Sequence, residues 1–228
     1  MISSDVKAAA VEENSNTTVN NTRSDHKLGY RIAKRTLDIV LSLVGLAVTI
    51  VPMLIIALLI RLESPGAPLY IHHRVGKNGK DLPVLKFRSM YKNADQMIQN
   101  FTPEQKKEWE TNFKLENDPR ITKVGAFLRK SSMDELPQLI NVLKGELSLV
   151  GPRPIVTKEL EKYGEKKEEF LSVTPGLTGY WQAYARSNCT YEQRIEMELK
   201  YVREANFWWD IKIMFATIGA VLRHDGAK

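Results

Sequence analysis

An α+β fold, helix-rich in its soluble part and led by an N-terminal Pro-broken re-entrant membrane helix, is the class this sequence predicts. Three observations predict it. The run Ile39–Ile60 is apolar and uncharged, contains Pro52, and is flanked by Arg31, Lys34 and Arg35 before it and Arg61 after it. Two short strand-like segments, Ala67–Ile71 and Leu82–Phe87, follow, with Gly76-Lys77-Asn78-Gly79 turning between them. Beyond Met90 the chain is charged, and its apolar residues recur at helical spacing.

Taken in order, residues 1–27 read as a disordered N-terminus, because Asn14–Thr22 is polar and has almost nothing to bury. A polar tract of that length ahead of the apolar run also argues against a secretory signal. Residues 28–62 form the membrane segment, in which the apolar run holds roughly 22 residues against the roughly 20 that a span needs. Pro52 has no N–H to give and should kink the helix. Basic residues on both flanks favour the same, cytoplasmic side for both ends. A helix that dips in, breaks at Pro52 and returns meets both conditions, with Thr49 available to satisfy a freed backbone group. A kinked full span and a buried core helix are the alternatives.

The third segment, 63–228, is read as one compact body with an apolar C-terminal helix. At 228 residues the chain can bury a real core. Its net charge of +6 fits an anionic membrane leaflet better than a nucleic acid, because the basic residues flank the apolar run and no nucleic-acid module is present. The single cysteine, Cys189, excludes an internal disulfide. Met90–Leu115 reads as two helices divided at Pro103 and capped by Thr102, and Lys158–Phe170 as a charged exposed helix. Tyr191–Arg203 is a further helix, and Thr174–Gly179 a rigid loop. The C-terminal helix opens on Phe207-Trp208-Trp209, rings suited either to a membrane interface or to the core.

The chemistry concentrates between Ser131 and Pro154. Leu136, Leu139, Ile140 and Leu143 mark one helix face, and Gly145 is its natural stop. Pro137 is tolerated only near the start, which places Asp134 at the N-terminus, where a carboxylate caps free N–H groups and phosphate is also welcome. Asp134 and Glu135 then point about 100° apart and should play different parts. One could attack phosphorus as a nucleophile, and the other could hold Mg2+, which takes carboxylate oxygens together with substrate phosphates. The plainer reading is a cap and a first-turn charge. Nearby arginines weigh against it: Arg129 precedes the pair, and Arg153 follows between Pro152 and Pro154 on a stiffened loop. Lys86 and Arg88, two apart on a strand, should point together, either at an anion or at solvent.

Several segments, in this order, resemble the small monotopic phosphoglycosyl transferases, the bacterial polyprenyl-phosphate hexose-1-phosphate transferases. They are the basic flank with its Pro-broken helix, Lys86-Phe87-Arg88-Ser89-Met90, Asp118–Gly125, Asp134–Leu139, Gly151-Pro152-Arg153-Pro154 and Pro175–Gly179. The resemblance covers roughly Tyr30 to Arg223. Tyr180-Trp181-Gln182 and Tyr184-Ala185-Arg186 depart from the family pattern, in a region the resemblance places at the sugar pocket.

The resemblance implies a cytosolic catalytic domain at the bacterial inner membrane, facing the cytoplasm. It implies transfer of a hexose-1-phosphate from a UDP-sugar to undecaprenyl phosphate with release of UMP, the first membrane step of exopolysaccharide, capsule or O-antigen-type glycan synthesis. Asp134 would be the nucleophile that forms a phosphosugar aspartate, and Glu135 would bind Mg2+. Lys86, Arg88, Arg129, Pro152, Arg153, Pro154 and Arg186 would line the substrate. Anionic lipids are expected partners, a homodimer is left open, and nucleic acid is not expected. A membrane-bound hydrolase of nucleotide-sugars or lipid pyrophosphates, and a non-catalytic membrane scaffold, are the competing readings.

Overall fold

The computed structural model describes residues 27–112, 115, 117–185 and 189–222. It opens with α1, Lys27–Glu63, a 37-residue helix with Pro52 inside it. The first compact unit ends at Leu37, and the second runs from Asp38 onward, so the apolar stretch of α1 belongs by its packing to the larger body. Strands β1 (Leu69–Val75) and β2 (Asp81–Phe87) form an antiparallel hairpin, with Leu69 opposite Phe87 and Val75 opposite Asp81. Helices α2 (Ala94–Met97), α3 (Pro103–Asn112) and α4 (Lys123–Ser131) follow. A single 3-10 turn, Met133–Glu135, leads into α5, Gln138–Lys144. Strand β3 (Ser148–Val150) pairs in parallel with β4 (Gly176–Thr178), and α6 (Thr157–Leu160) and α7 (Lys167–Leu171) lie between them. Helices α8 (Tyr180–Tyr184), α9 (Tyr191–Glu204) and α10 (Phe207–Leu222) complete the fold. It is helix-rich with a few short strands and one long apolar N-terminal helix, as the sequence predicts in outline.

The two faces of α1 differ. Met53, Ile56 and Ile60 recur at helical spacing and are buried against Phe87 at the end of β2 and Leu128 of α4, with Leu46, Val124 and Leu136 packed alongside. Burial of such side chains stabilises by about 1.5–3 kcal/mol each, so Ile60→Ala should cost about 2–5 kcal/mol. The other face leaves Val51, Leu54 and Leu58 some 60% exposed, at 61%, 63% and 58%. A core helix of a soluble protein would be buried all round. In the most apolar window of this helix only 17% of residues are buried, and by length and composition it can cross a membrane.

Several local expectations need correction. Thr49 does not serve the carbonyl that Pro52 leaves free, which belongs to Val48. Its hydroxyl donates instead to Gly45 O at 2.6 Å. The first strand begins at Leu69 and extends to Val75, because its residues pair along the whole of β2. The expected helix over Lys158–Phe170 is broken at Gly164 (φ 50), which lets Tyr163 and Phe170 both turn inward. Within Thr174–Gly179, residues 176–178 are a strand rather than a loop. The backbones of Gly151 and Gly176 approach so closely that a Cβ on Gly176 would lie 2.1 Å from Gly151 N. The caps are as read: Thr102 and Gln105 bond each other's backbone N–H at the start of α3.

Candidate active site

Three elements deliver the site: β2, the 3-10 turn after α4, and the loop after β3. Helix α4 starts on Thr122, whose hydroxyl accepts from Gly125 N at 2.9 Å. It ends on Ser132, held in the left-handed region at φ 58 with its N–H bonded to Leu128 and Arg129 carbonyls. A non-glycine residue adopts that conformation only when its surroundings over-determine it. Here it reverses the chain into the turn carrying Asp134 and Glu135. The next helix begins only at Gln138, after Pro137, with no side-chain cap. The expectation that Asp134 caps that helix is therefore corrected. Its carboxylate is not spent on N–H groups of α5 and faces the cations instead.

Lys86 reaches from β2 to both carboxylates. Its Nζ lies 2.7 Å from Glu135 Oε1 and 3.9 Å from Asp134 Oδ2. Arg153, from the loop after β3, brings a guanidinium nitrogen to 3.9 Å from Glu135 Oε1. Arg129 acts on the Asp134 side and donates from Nε to Ser89 Oγ at 2.9 Å. The two carboxylates thus share Lys86 and differ in their second cation, and their ionisation diverges. Burial, reinforced by the negative charge of Glu135, holds Asp134 above the ordinary aspartate range despite Lys86 and Arg129. Burial also works to raise Glu135, but Lys86, Arg153 and the Gln138 side chain outweigh it and keep it low. Glu135 is the firmly ionised member and Asp134 the more basic one.

The groove around Glu135 is lined by Arg74, Lys86, Gln138, Arg153, Pro154 and backbone at Gly176. Sequence reasoning missed Arg74. It lies on β1, one face-step from His72, and nothing in its local pattern separates it from a solvated strand residue. Burial and the neighbouring Arg153 both work against its positive charge, which Glu159 at 3.7 Å only partly offsets. Three crowded cations around one carboxylate make a place where an anion of higher charge is welcome. Glu198 was missed as well. This buried α9 carboxylate accepts from the backbone N–H of Arg153 at 2.9 Å and lies 3.7 Å from Arg194 Nε. Burial pushes it up to about 7.

Arg88 is not brought to the carboxylates. It sits one residue past β2, and its guanidinium donates to the carbonyls of Ser64 and Pro65 beyond the end of α1, which corrects the expectation that it points with Lys86. Pro152 and Pro154 flank Arg153 as expected, Pro154 lining the groove. Arg186 lies outside the described residues. Among the described residues no group of three or more His, Cys, Asp or Glu side chains is arranged to hold a metal. The acidic donors at the turn are Asp134 and Glu135. That fits Mg2+ bound by one or two carboxylates and completed by substrate phosphates, not a site built from protein alone.

A family model described as bacterial sugar transferase matches residues 29–224. The chain is 47% identical over 205 residues to an undecaprenyl-phosphate galactose phosphotransferase of Salmonella typhimurium, covering 88% of this chain and 43% of that protein. It is 40% identical over 197 residues to a UDP-glucose:undecaprenyl-phosphate glucose-1-phosphate transferase of Escherichia coli, covering 82% of this chain and 40% of that protein. It is 41% identical over 199 residues to an exopolysaccharide production protein of Sinorhizobium fredii, covering 86% of this chain and 88% of that protein. The chain thus spans less than half the length of several curated relatives and nearly the whole of another.

Proposed function

The chain belongs to the bacterial sugar transferase family, and from that premise we propose that it transfers a hexose-1-phosphate from a UDP-sugar to undecaprenyl phosphate, with release of UMP. The observation that carries this reading is the convergence of Lys86 and Arg153 on the Asp134–Glu135 turn. It brings the Asp134 carboxylate and phosphate-binding cations together at one turn. Two relatives' names specify undecaprenyl phosphate, and that of the Escherichia coli protein also specifies UDP-glucose, which supports the choice of acceptor and donor.

In this reading an Asp134 oxygen attacks the phosphorus that bears the sugar. The bond from that phosphorus to the oxygen bridging the two phosphates breaks, and UMP leaves with the bridging oxygen. A phosphosugar ester of Asp134 remains. An oxygen of undecaprenyl phosphate then attacks the same phosphorus and returns Asp134 as carboxylate, giving the undecaprenyl diphospho-sugar. Two steps let a water-soluble donor and a lipid acceptor use one small groove in turn. The raised basicity of Asp134 strengthens it as a nucleophile. Lys86, Arg74, Arg129 and Arg153 hold the phosphates and offset charge on the transferred group. Mg2+, bound by Glu135 jointly with the donor diphosphate, would supply further charge neutralisation.

The same proposal places 63–228 as the catalytic domain on the cytoplasmic side of the bacterial inner membrane. Both ends of the apolar stretch of α1 lie on that side, and its exposed face meets lipid. Basic residues on both flanks and Pro52 support this re-entrant course. The product would feed exopolysaccharide, capsule or O-antigen assembly.

The test is a panel of UDP-hexoses and UDP-N-acetylhexosamines incubated with the membrane-embedded protein, with and without undecaprenyl phosphate. UMP release together with a labelled lipid diphospho-sugar is expected from at least one donor. Sugar-1-phosphate release that is indifferent to the lipid would establish a hydrolase instead.

A further inference from the structure

Helix α1 contacts β2 and the two elements, α4 and β3, that lead into the turn and the loop of the site. Near its start within the second unit, Asp38 Oδ1 accepts from Leu149 N at 2.9 Å and from Ser148 Oγ at 3.1 Å. Both donors lie in β3, the strand that runs directly into Gly151-Pro152-Arg153-Pro154. At the other end of α1, Glu63 accepts from Lys123 N at 2.7 Å and Val124 N at 2.9 Å, one carboxylate oxygen to each. Those are the first N–H groups of α4, the helix that ends in the Asp134–Glu135 turn. Between the two carboxylates, Ile56 and Ile60 pack on Phe87 beside Lys86, on Leu128 of α4, and with Leu136 just after the turn.

We infer that Asp38 and Glu63 are positioning residues, two tethers through which α1 sets the spacing between the Arg153 loop and the Asp134–Glu135 turn. The inference rests on the proposed transferase reading for its consequences in catalysis. The physical case does not. Residues 38–63 belong to one helix with Pro52 inside it, so the two carboxylates hold β3 and α4 to the same element whatever its bend. Asp38 is buried, at 5% exposure. Removing it leaves the N–H of Leu149 and the Ser148 hydroxyl to find other partners. Glu63 meets the positive end of α4, where a carboxylate is favoured by the unsatisfied N–H groups. Neither side chain touches the groove. Each acts through the element it holds: Asp38 through the loop that carries Arg153, Glu63 through the helix that aims the turn.

The consequence is a split in kinetic effect. Asp38→Ala should lower kcat/KM for the UDP-sugar at least tenfold, chiefly through KM, by loosening Arg153. Asp38→Asn keeps an oxygen for Leu149 N and should recover most of the loss. Because the effect runs through Arg153, adding Asp38→Ala to Arg153→Ala should cost less than twofold more. Glu63→Ala should lower kcat at least fivefold with little change in KM. A spacing readout independent of turnover uses spin labels on cysteines at Lys130 and Lys158 in a Cys189→Ser background, in lipid nanodiscs. Both alanine variants should broaden the distance distribution between the labels. If Asp38→Ala does not accumulate, Ser148→Ala, which removes one hydrogen-bond partner of Asp38, should raise KM about threefold, again without addition to Arg153→Ala. Unchanged distance distributions with wild-type kinetics, or full additivity with Arg153→Ala, would overturn the inference. Failure of the transferase reading would show differently, as a wild-type protein with no donor-dependent UMP release whatever the spacing.

Discussion

Lys86 and Glu135 face each other across two elements far apart in sequence, with Nζ 2.7 Å from Oε1. The same ammonium lies 3.9 Å from Asp134. This shared cation separates the roles of two adjacent carboxylates. Glu135 is held ionised by Lys86 and Arg153, while Asp134, more deeply disfavoured as an anion, is left more basic. A metal ion drawn to Glu135 would compete with Lys86 and free the ammonium for phosphate or for Asp134.

Asp134→Asn should abolish transfer while leaving the protein folded. The charge of Asp134 is disfavoured in the folded state, since its carboxyl is raised above the ordinary value. Replacing it by a neutral isostere should therefore leave the thermal midpoint near neutral pH unchanged or slightly higher. Circular dichroism melting and UMP release on the same preparation check both halves. Near wild-type turnover by the variant would remove Asp134 from the nucleophile role.

Metal removal should act like loss of Glu135. Transfer should fall at least a hundredfold in EDTA and return with added Mg2+, and Glu135→Gln should be similarly impaired and respond little to added Mg2+. The reasoning is that a diphosphate and one hard carboxylate complete a magnesium site that neither makes alone. Full activity after exhaustive chelation sinks this assignment.

Arg74→Gln should raise KM for the nucleotide-sugar about tenfold to a hundredfold, in line with about 1.4–2.8 kcal/mol for a charge-assisted contact to phosphate. Arg153→Lys should not restore a wild-type KM, because an ammonium cannot present a guanidinium's two parallel N–H groups. Initial-rate kinetics over a range of donor concentrations decide both. An unchanged KM for Arg74→Gln would return that residue to a structural partner of Glu159.

Stability should fall with rising pH through the titration of Glu198. Burial raises this group from 4.5 to about 7 in the folded protein. Between those values the folded state therefore holds a proton that the unfolded state has lost. The stability contribution is complete below the unfolded value, 4.5, and is lost as pH rises to about 7. It amounts to about 3 kcal/mol, because each tenfold change in proton affinity is worth about 1.36 kcal/mol. Glu198→Gln removes that slope and should melt higher than the wild type at mildly alkaline pH, as read by denaturant titration at several pH values. A variant whose pH slope matches the wild type would show that Glu198 is already ionised when folded.

Labelling tests the membrane course. In a Cys189→Ser background, single cysteines at Gly29 and Lys158 should both be protected from an impermeant maleimide in intact cells, and both should react after lysis. Reaction at Gly29 alone in intact cells would establish a single span and leave the chemistry untouched. Pro52→Ala should favour that span, because it restores the N–H that the Val48 carbonyl lacks.

Local chemistry in the chain was enough to reveal much of this protein. The apolar run, the β1–β2 turn, the caps at Thr102 and Gly145, the helix that carries Leu139, Ile140 and Leu143 and the cationic neighbourhood of Asp134 and Glu135 all follow from residue types at short spacing. Such features depend on neighbours within one or two turns. What the tertiary structure decided are contacts between residues distant in sequence. Arg74 enters the groove only because β1 pairs with β2. Glu198 matters only because α9 brings it to the backbone of Arg153. Arg88 departs from Lys86 because the carbonyls of Ser64 and Pro65 lie within its reach. Asp134 is freed from capping because Ser132 turns left-handed and delays the helix to Gln138. Spacing along a chain fixes which face a side chain occupies, but only the packing of one element on another determines what that face meets.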